Sequence, residues 1–475
     1  MFINKIQKNK IVLFIIFLGF VSSCLLSINN LNKYDKNIQV QGTNITYHQM
    51  VKSDPYRYLS DGFEIKDQLK NGKSFFEVGP ENYTKYLPAR LAALYYYYFD
   101  INLFNNSIEK KINSGLHLNY LLIQCFIYFF CLTLLYFSLI EIINKRISIF
   151  IIFFLCFEPT IFQYHGSFWS ESIFFSLQIL LISLILKKNS SLFNFFLIGL
   201  FLGILSLQKE YSIFYIIPVV IYFIFTSNNL KYRTIFILFL SFLAVQLFLG
   251  FNNYKRSKNF YIMSADSKVN LHIDLVEKVI HKKFKISQEE FQIIEGKESL
   301  KWVIDNLIKF DEKIIINIQK PKYMEVRESI INESDKVKFD DNIRKRTINY
   351  FINYPLDFIK FISNSSMHII LLNPFHIWSD NNFISGEHYY TTEIHKKLIP
   401  YRIIYSLAIY LICLFGFLSL IKKKNYKIML YLILSILYFF SLVSWHGNTR
   451  YFLPVMIYLS FFWGFGLDKI LNEKR

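Results

Sequence analysis

Long unbroken runs of apolar residues are the feature that most constrains the fold. Examples are Ile11–Ile28, Ile147–Phe157 and Ile403–Ile421. The apolar residues do not recur with the period of two or 3.6 that a half-buried strand or a surface helix shows. A run of about 18 or more apolar residues is long enough to cross a bilayer as a helix. The sequence therefore predicts an all-α polytopic membrane protein.

The composition excludes the main soluble classes. Of 475 residues, 53% are hydrophobic and only 19% are charged, below the roughly 25% charged residues of an ordinary soluble domain. A soluble protein of this size would still need a charged surface. A soluble enzyme, a nucleic-acid-binding domain and a disordered chain are therefore excluded.

The positive charge indicates an orientation. The chain carries 53 Lys and Arg against 35 Asp and Glu, a formal net charge of +18. Cytoplasmic loops of membrane proteins are rich in Lys and Arg. With the N-terminus inside, the short basic connections at 144–146, 187–188, 231–233 and 422–424 all fall on the cytoplasmic side. This sidedness predicts about ten transmembrane helices with both chain ends in the cytoplasm.

The predicted transmembrane helices divide the chain into membrane and extracytoplasmic parts. Residues 358–372 contain several polar side chains, and counting them as a span would place 422–424 outside, so we expect an interfacial or half-buried helix there. The predicted parts are a first transmembrane helix (1–28), a first extracytoplasmic loop (29–116), transmembrane helices two to seven (117–250), an extracytoplasmic helical region with the interfacial helix (251–401), and the last three transmembrane helices with a cytoplasmic tail (402–475).

The five cysteines do not indicate a disulfide framework or a zinc site. All lie within apolar runs, their number is odd, and no Cys-x-x-Cys pair or His-rich cluster accompanies them. Regular disulfide and zinc-binding patterns have an even count or a characteristic spacing.

Ionisable residues predicted near the outer ends of spans are the candidates for function, because such groups are costly near a bilayer and usually functional. These charged residues also have purely structural interpretations. They are a solvated loop after the first span, a helix kink at Pro159, a local Lys209–Glu210 ion pair, and an interfacial anchor at position 450. The candidates are the acids Asp54, Asp61, Glu158 and Glu171, the cations Arg57, Lys85, Arg90, Lys209, Arg256 and Arg450, and the histidines His165 and His446.

Acids beside a group of Lys and Arg suit transfer chemistry on an anionic, lipid-linked substrate. An acid serves as general base on an acceptor hydroxyl, and the cations hold a phosphate leaving group. No glycine-rich phosphate loop or Asp-x-Asp motif is present, so no cofactor is required. A divalent cation held by Glu158, Glu171 and His165 is left open, because oxygen ligands suit one but the spacing does not demand it.

The order of these motifs resembles the membrane-embedded C-type (GT-C) glycosyltransferases, in the branch of protein O-mannosyltransferases and bacterial lipid A aminoarabinose transferases. The resemblance runs through most of the chain and is weakest in 272–346. The matching motifs are Asp54–Tyr58, Lys85–Arg90, Ser170–Glu171, Asn253–Arg256, Asn353–Pro355 and Arg450–Pro454.

This resemblance implies an inverting transfer of a sugar from a polyprenyl-phosphate donor to an acceptor hydroxyl of a lipid, glycan or protein. It implies that Asp54 is the catalytic base, with Lys209, Arg256 or Arg450 stabilising the leaving phosphate. Many family members have a second acid directly after the catalytic one, where this chain has Pro55, so Asp61 is the alternative base. The implied location is a bacterial inner membrane, with the active site facing the exterior.

Two other functions compete with this one. Envelope polysaccharide polymerases and ligases also have many spans and a large outer loop, but their decisive basic residues lie in that late loop. Lipid and sugar transporters tend to have inverted repeats and helices broken by Gly and Pro at mid-membrane. The chain has only 16 Gly and 10 Pro, and its candidate charges lie on one predicted face, which disfavours transport.

Overall fold

The computed structural model describes residues 9–34, 54–74, 77–79, 86–99, 118–187, 191–226, 232–262, 271–312, 320–372, 393–443 and 452–472. These residues are almost entirely helical, and the sole β-type pairing among them is an isolated bridge between Phe310 and Ile330. In chain order the helices are α1 (Lys10–Tyr34), α2 (Asp54–Lys70), α3 (Tyr86–Tyr98), α4 (Leu118–Leu139), α5 (Lys145–Phe157), α6 (Pro159–Phe162), α7 (Glu171–Ile185), α8 (Leu192–Gln208), α9 (Ile216–Thr226), α10 (Tyr232–Ser257), α11 (Glu277–Phe284), α12 (Gln288–Asp305), α13 (Tyr323–Ser329), α14 (Glu333–Asn353), α15 (Pro355–Ile370), α16 (Glu393–Lys422), α17 (Tyr426–Val443) and α18 (Leu453–Asn472).

Many of these helices have the length and composition of membrane spans. Five described helices, α1, α4, α10, α16 and α18, contain an apolar stretch of 20 residues or more. Shorter apolar helices are α7, α8, α17 and the continuous 3-10 and α segment Glu210–Thr226. The prediction of an all-α polytopic membrane protein is confirmed. The number of about ten spans stays a prediction.

Glycines allow the closest helix contacts. A Cβ on Gly416 of α16 would lie 1.6 Å from the carbonyl oxygen of Phe462, and one on Gly466 of α18 would lie 2.0 Å from that of Ile412. The backbones of α16 and α18 therefore touch at this crossing. Small residues at helix crossings are a common basis of packing between membrane helices, because apolar side chains gain little by leaving lipid.

A network of hydroxyl groups joins three further elements inside the bundle. The Tyr215 hydroxyl lies 3.0 Å from that of Tyr431, 2.7 Å from that of Tyr458 and 2.8 Å from the Ser435 hydroxyl. All four residues are fully buried. Because each hydroxyl can donate and accept, the groups satisfy one another where no water is available.

The chain turns sharply after α5. The helix ends at Phe157, and Glu158 has extended backbone angles before Pro159 opens the short helix α6. Proline disfavours a helical conformation of the residue before it. The apolar sequence from 147 to 164 therefore forms a helix, a corner and a second helical turn.

Helices α11 to α15 form an extracytoplasmic unit in the predicted topology, and its last helix is held against α16. Phe358 of α15 packs in a core with residues of α11 and α12, whereas Leu356 is 78% exposed and Ile359 is 59% exposed. The Tyr410 hydroxyl donates to the carbonyl oxygen of Ile370 at 2.6 Å. The helix expected near 358–372 therefore exists and rests on an apolar helix, while its interfacial position stays a prediction.

We expect the α16–α18 crossing to be sensitive to a single methyl group. Gly416→Ala should reduce the free energy of unfolding by about 1–3 kcal/mol, because the new Cβ overlaps a backbone carbonyl that cannot rotate away. Leu414→Ala is the matched control, since Leu414 is on the same helix and is 53% exposed. Thermal unfolding in detergent checks this. An unchanged Tm for Gly416→Ala would contradict the packing described.

Candidate functional site

The first candidate acids lie on one helix that packs closely on its neighbour. Helix α2 begins at Asp54, and Asp61 follows seven residues later, so the two positions share a helix face, roughly 10 Å apart along the axis. Asp61 is only 7% exposed. A Cβ on Gly62 would lie 2.6 Å from that of Ala92 on α3. This close packing fixes α2 against α3. The structure does not describe the side chains of Asp54 and Arg57.

Arg90 of α3 is buried where three segments meet. It is 3% exposed, and its Nη2 donates to the Val78 carbonyl oxygen at 2.7 Å and to Asn252 Oδ1 of α10 at 3.0 Å. Its guanidinium lies 3.5 Å from the centre of the Tyr86 ring. Burial lowers the pKa of Arg90 to about 10, against the raising effect of Tyr86. The sequence had not singled out Asn252, which is a neutral residue within an apolar span.

A second arginine approaches the same stretch of backbone as the first. Arg90 donates to the Val78 carbonyl oxygen, and the Arg256 guanidinium lies against the next residue, Gly79. Arg256 Nη2 donates to the Tyr261 hydroxyl at 3.2 Å. A Cβ on Gly79 would lie 2.3 Å from Arg256 Nη1, so glycine lets the guanidinium approach the backbone at this point. Two guanidinium groups this close form a concentration of positive charge suited to a phosphate.

Glu171 and Lys209 form a buried ion pair. Lys209 Nζ donates to Glu171 Oε1 at 2.9 Å, and the residues are 3% and 4% exposed, respectively. Glu171 opens α7, where the helix dipole favours a negative charge. Gln208 Nε2 donates to the Ser170 carbonyl oxygen at 2.8 Å beside the pair. Lys209 therefore has a partner from a different helix, in addition to any interaction with the adjacent Glu210.

Glu158 is held entirely by donors of the chain itself. Its Oε1 accepts a hydrogen bond from the Thr160 hydroxyl at 2.6 Å and another from the Tyr405 hydroxyl of α16. Its Oε2 accepts from the Ile161 amide at 2.8 Å, which caps α6. The residue is 4% exposed. In this arrangement the carboxyl group joins the corner after α5 to α16.

His165 lies inside the bundle. It is fully buried, its ring centre is 4.0 Å from that of Tyr128, and its Nδ1 lies 3.2 Å from the Ser172 hydroxyl. Three residues on, Phe168 joins an apolar cluster with side chains of α2, α3 and α4. The turn between α6 and α7 thus connects the surroundings of Glu158 and Glu171 with the helix that carries Asp54 and Asp61.

Three of the candidate residues lie outside the part of the chain that the structure describes. They are Lys85, His446 and Arg450. Within the described part of the chain, no three His, Cys, Asp or Glu residues form a group that could hold a metal ion.

A polar network in the extracytoplasmic unit was not predicted from the sequence. Glu295 accepts a hydrogen bond from the Tyr350 hydroxyl at 2.7 Å, and its Oε2 lies 3.0 Å from Arg346 Nη1 and 3.3 Å from His272 Nε2. Burial opposes ionisation of Glu295, but the contact with His272 and the charge of Arg346 outweigh it and hold its pKa below the usual range. Its sequence surroundings are ordinary charged helix, so no local motif marks this network.

A solved structure is similar to the chain at low identity. It is the crystal structure of the Archaeoglobus fulgidus oligosaccharyltransferase, tethered by a disulfide bond to an acceptor peptide containing the NVT sequon. The TM-score is 0.45 and the sequence identity is 9%, over 96% of this chain and 50% of the other. The chain therefore spans about half the length of that protein. No family model and no curated protein matches the sequence.

The buried pair gives a prediction for Lys209. Lys209→Met should cost about 3–5 kcal/mol of stability, because it removes the ammonium partner of a buried carboxylate. The double variant Lys209→Met/Glu171→Gln should recover much of this loss, since the isolated charge is then also removed. Thermal unfolding of the single and double variants in detergent measures the recovery. A double variant as unstable as Lys209→Met would contradict the pairing.

Glu158 gives a second prediction. Tyr405→Phe should cost about 1–3 kcal/mol, because a buried carboxyl oxygen loses one of its donors. Tyr401→Phe on the same helix is the control, since Tyr401 is 67% exposed. Unfolding of both variants is compared with that of Glu158→Gln/Tyr405→Phe. Equal effects of Tyr405→Phe and Tyr401→Phe would show that the Tyr405–Glu158 bond contributes nothing.

Proposed function

We propose that the chain is an integral-membrane glycosyltransferase that moves a sugar from a polyprenyl-phosphate donor to an acceptor hydroxyl on the extracytoplasmic face. The observation that carries this proposal is the packing of the acid-bearing helix α2 on α3, whose Arg90 meets Arg256 of α10 at the backbone of residues 78 and 79. An acid and two neighbouring guanidinium groups supply the two functions that such a transfer needs.

The proposed reaction is an inverting displacement. The acceptor oxygen forms a bond to the anomeric carbon as the bond between that carbon and the phosphate oxygen breaks. The base takes the proton of the acceptor hydroxyl, and the departing polyprenyl phosphate is stabilised by Arg90 and Arg256, with Lys85 and Arg450 as further candidates. Neither of these steps requires a nucleotide cofactor.

Asp54 is the preferred base over Asp61. A base must reach the acceptor hydroxyl, and Asp61 is almost completely buried. Asp54 stands at the first position of α2, where the helix dipole favours the ionised carboxylate that accepts a proton. Asp61 is the alternative base.

The proposal predicts that Asp54→Asn lowers transfer by about 10²–10⁴-fold in membranes, because the amide cannot accept the acceptor proton. Asp67→Asn is the matched control, as Asp67 is on the same helix and its side chain is 66% exposed. Asp61→Asn is measured in parallel. Normal transfer by both Asp54→Asn and Asp61→Asn, with correct insertion, would overturn the assignment of the base to α2.

The donor can be identified in cells. A strain that lacks the gene for this protein should accumulate one polyprenyl-phosphate sugar, because the cell still makes this lipid-linked sugar but no longer consumes it. Mass spectrometry of the lipid extract names the sugar and the prenyl length. Complementation with the wild-type gene should remove the accumulated lipid, whereas the Asp54→Asn gene should not. A lipid extract identical to that of the parent strain would argue against this donor class.

A further inference from the structure

A groove on the extracytoplasmic unit combines an aromatic ring with unpaired polar side chains. It lies between α12 and α14 and is lined by Glu298, Lys301, Trp302, Asp305, Asn342 and Arg346. The four residues of α12 are spaced by three, one and three positions, and the two of α14 by four, so each set occupies one helix face. Trp302 is the only tryptophan between 271 and 372, and it is partly exposed.

Most polar groups of the groove are free to bind a ligand. In the described part of the chain, Glu298, Lys301, Asp305 and Asn342 have no hydrogen-bond or ion-pair partner. Nearby charged residues on α14 behave differently, because Lys338 pairs with Asp335 at 2.8 Å and Arg344 lies 3.7 Å from Asp341. The groove thus has carboxylate and amide oxygens, an amide N–H₂ and an ammonium group available around one aromatic ring.

The buried network behind the groove fixes its arginine. Arg346 Nη1 lies 3.0 Å from Glu295 Oε2, and Nη2 donates to the Ser299 hydroxyl at 2.5 Å. The Trp302 ring packs edge-to-face with Phe339 of α14, with ring centres 6.0 Å apart. Because both side chains are held from behind, a ligand would find them already in place, which reduces the entropy cost of binding.

The charge of the groove indicates the class of ligand. The charge of Arg346 is already compensated by Glu295, so the groove presents the two carboxylates of Glu298 and Asp305 against the single ammonium group of Lys301. A phosphate or another anion would meet two carboxylates here and gain little. A neutral sugar fits better, since its hydroxyl groups both donate and accept hydrogen bonds and its apolar C–H face can pack on an indole ring.

We propose that this groove binds a neutral sugar residue of the acceptor. The assignment of the sugar to the acceptor rests on the proposed glycosyl transfer, whereas the binding of a neutral glycan does not. The groove lies on the extracytoplasmic unit and uses none of the residues assigned to the donor phosphate. It would add affinity for a glycan acceptor at a distance from the reacting hydroxyl.

Binding can be tested without a donor. The full-length protein in lipid nanodiscs is applied to an array of neutral, sulfated and sialylated oligosaccharides. We expect binding to a subset of the neutral glycans, and about tenfold weaker binding by Trp302→Ala, because aromatic residues at the centre of an interface contribute most to affinity. Ile304→Ala, which removes a 54% exposed side chain from another face of α12, should bind normally.

Two peripheral variants protect the test against misfolding, since Trp302 also contacts the core. Asn342→Ala and Glu298→Gln change side chains at the groove alone and should weaken binding of the same glycans severalfold without changing the Tm. The proposal is overturned if no neutral glycan binds, if only the anionic glycans bind, or if the three groove variants bind like Ile304→Ala. Glycan binding that persists without transfer activity would count against the proposed function alone.

Discussion

The absence of water in the bilayer core dictates how this chain can place polar groups. A buried polar atom there must find its partner within the protein. The chain meets this demand by pairing groups from distant positions: Lys209 with Glu171, Glu158 with Tyr405, and Tyr215 with the hydroxyls of α17 and α18. The Lys209–Glu171 pair joins the consecutive helices α7 and α8, whereas the other two contacts join helices far apart in sequence. The requirement that polar groups be satisfied therefore contributes to which helices lie side by side.

The helical class could be predicted from the sequence because it follows from local composition. Helix α8, for example, coincides with a largely apolar stretch and ends at Gln208. Helix α16 was harder to predict, since it begins at Glu393 and continues through Pro400. The first nine residues of this helix include charged groups and a proline, which do not resemble a membrane span, although neighbouring helices let membrane helices tolerate proline.

The site was less predictable than the fold for a different reason. Sequence sidedness identified Arg90, Arg256, Glu171 and Lys209 as candidates, but it could not say which of them meet. Lys209 was predicted as a phosphate-binding cation, with a local pair to Glu210 as the plainer interpretation, and its ammonium group reaches Glu171, 38 residues away. His272 and Glu295 show the limit most clearly, since their contact depends on the packing of several helices and leaves no local pattern to detect.

The contact between α15 and α16 has a consequence for protein engineering. Over two turns, α16 binds the carboxyl group of Glu158 through Tyr405 and the end of the extracytoplasmic unit through Arg402, Ser406 and Tyr410. Transplanting this unit onto another membrane scaffold would therefore require a receiving helix with polar groups at the three positions of Arg402, Ser406 and Tyr410. The modular boundary of the unit therefore includes these positions of α16.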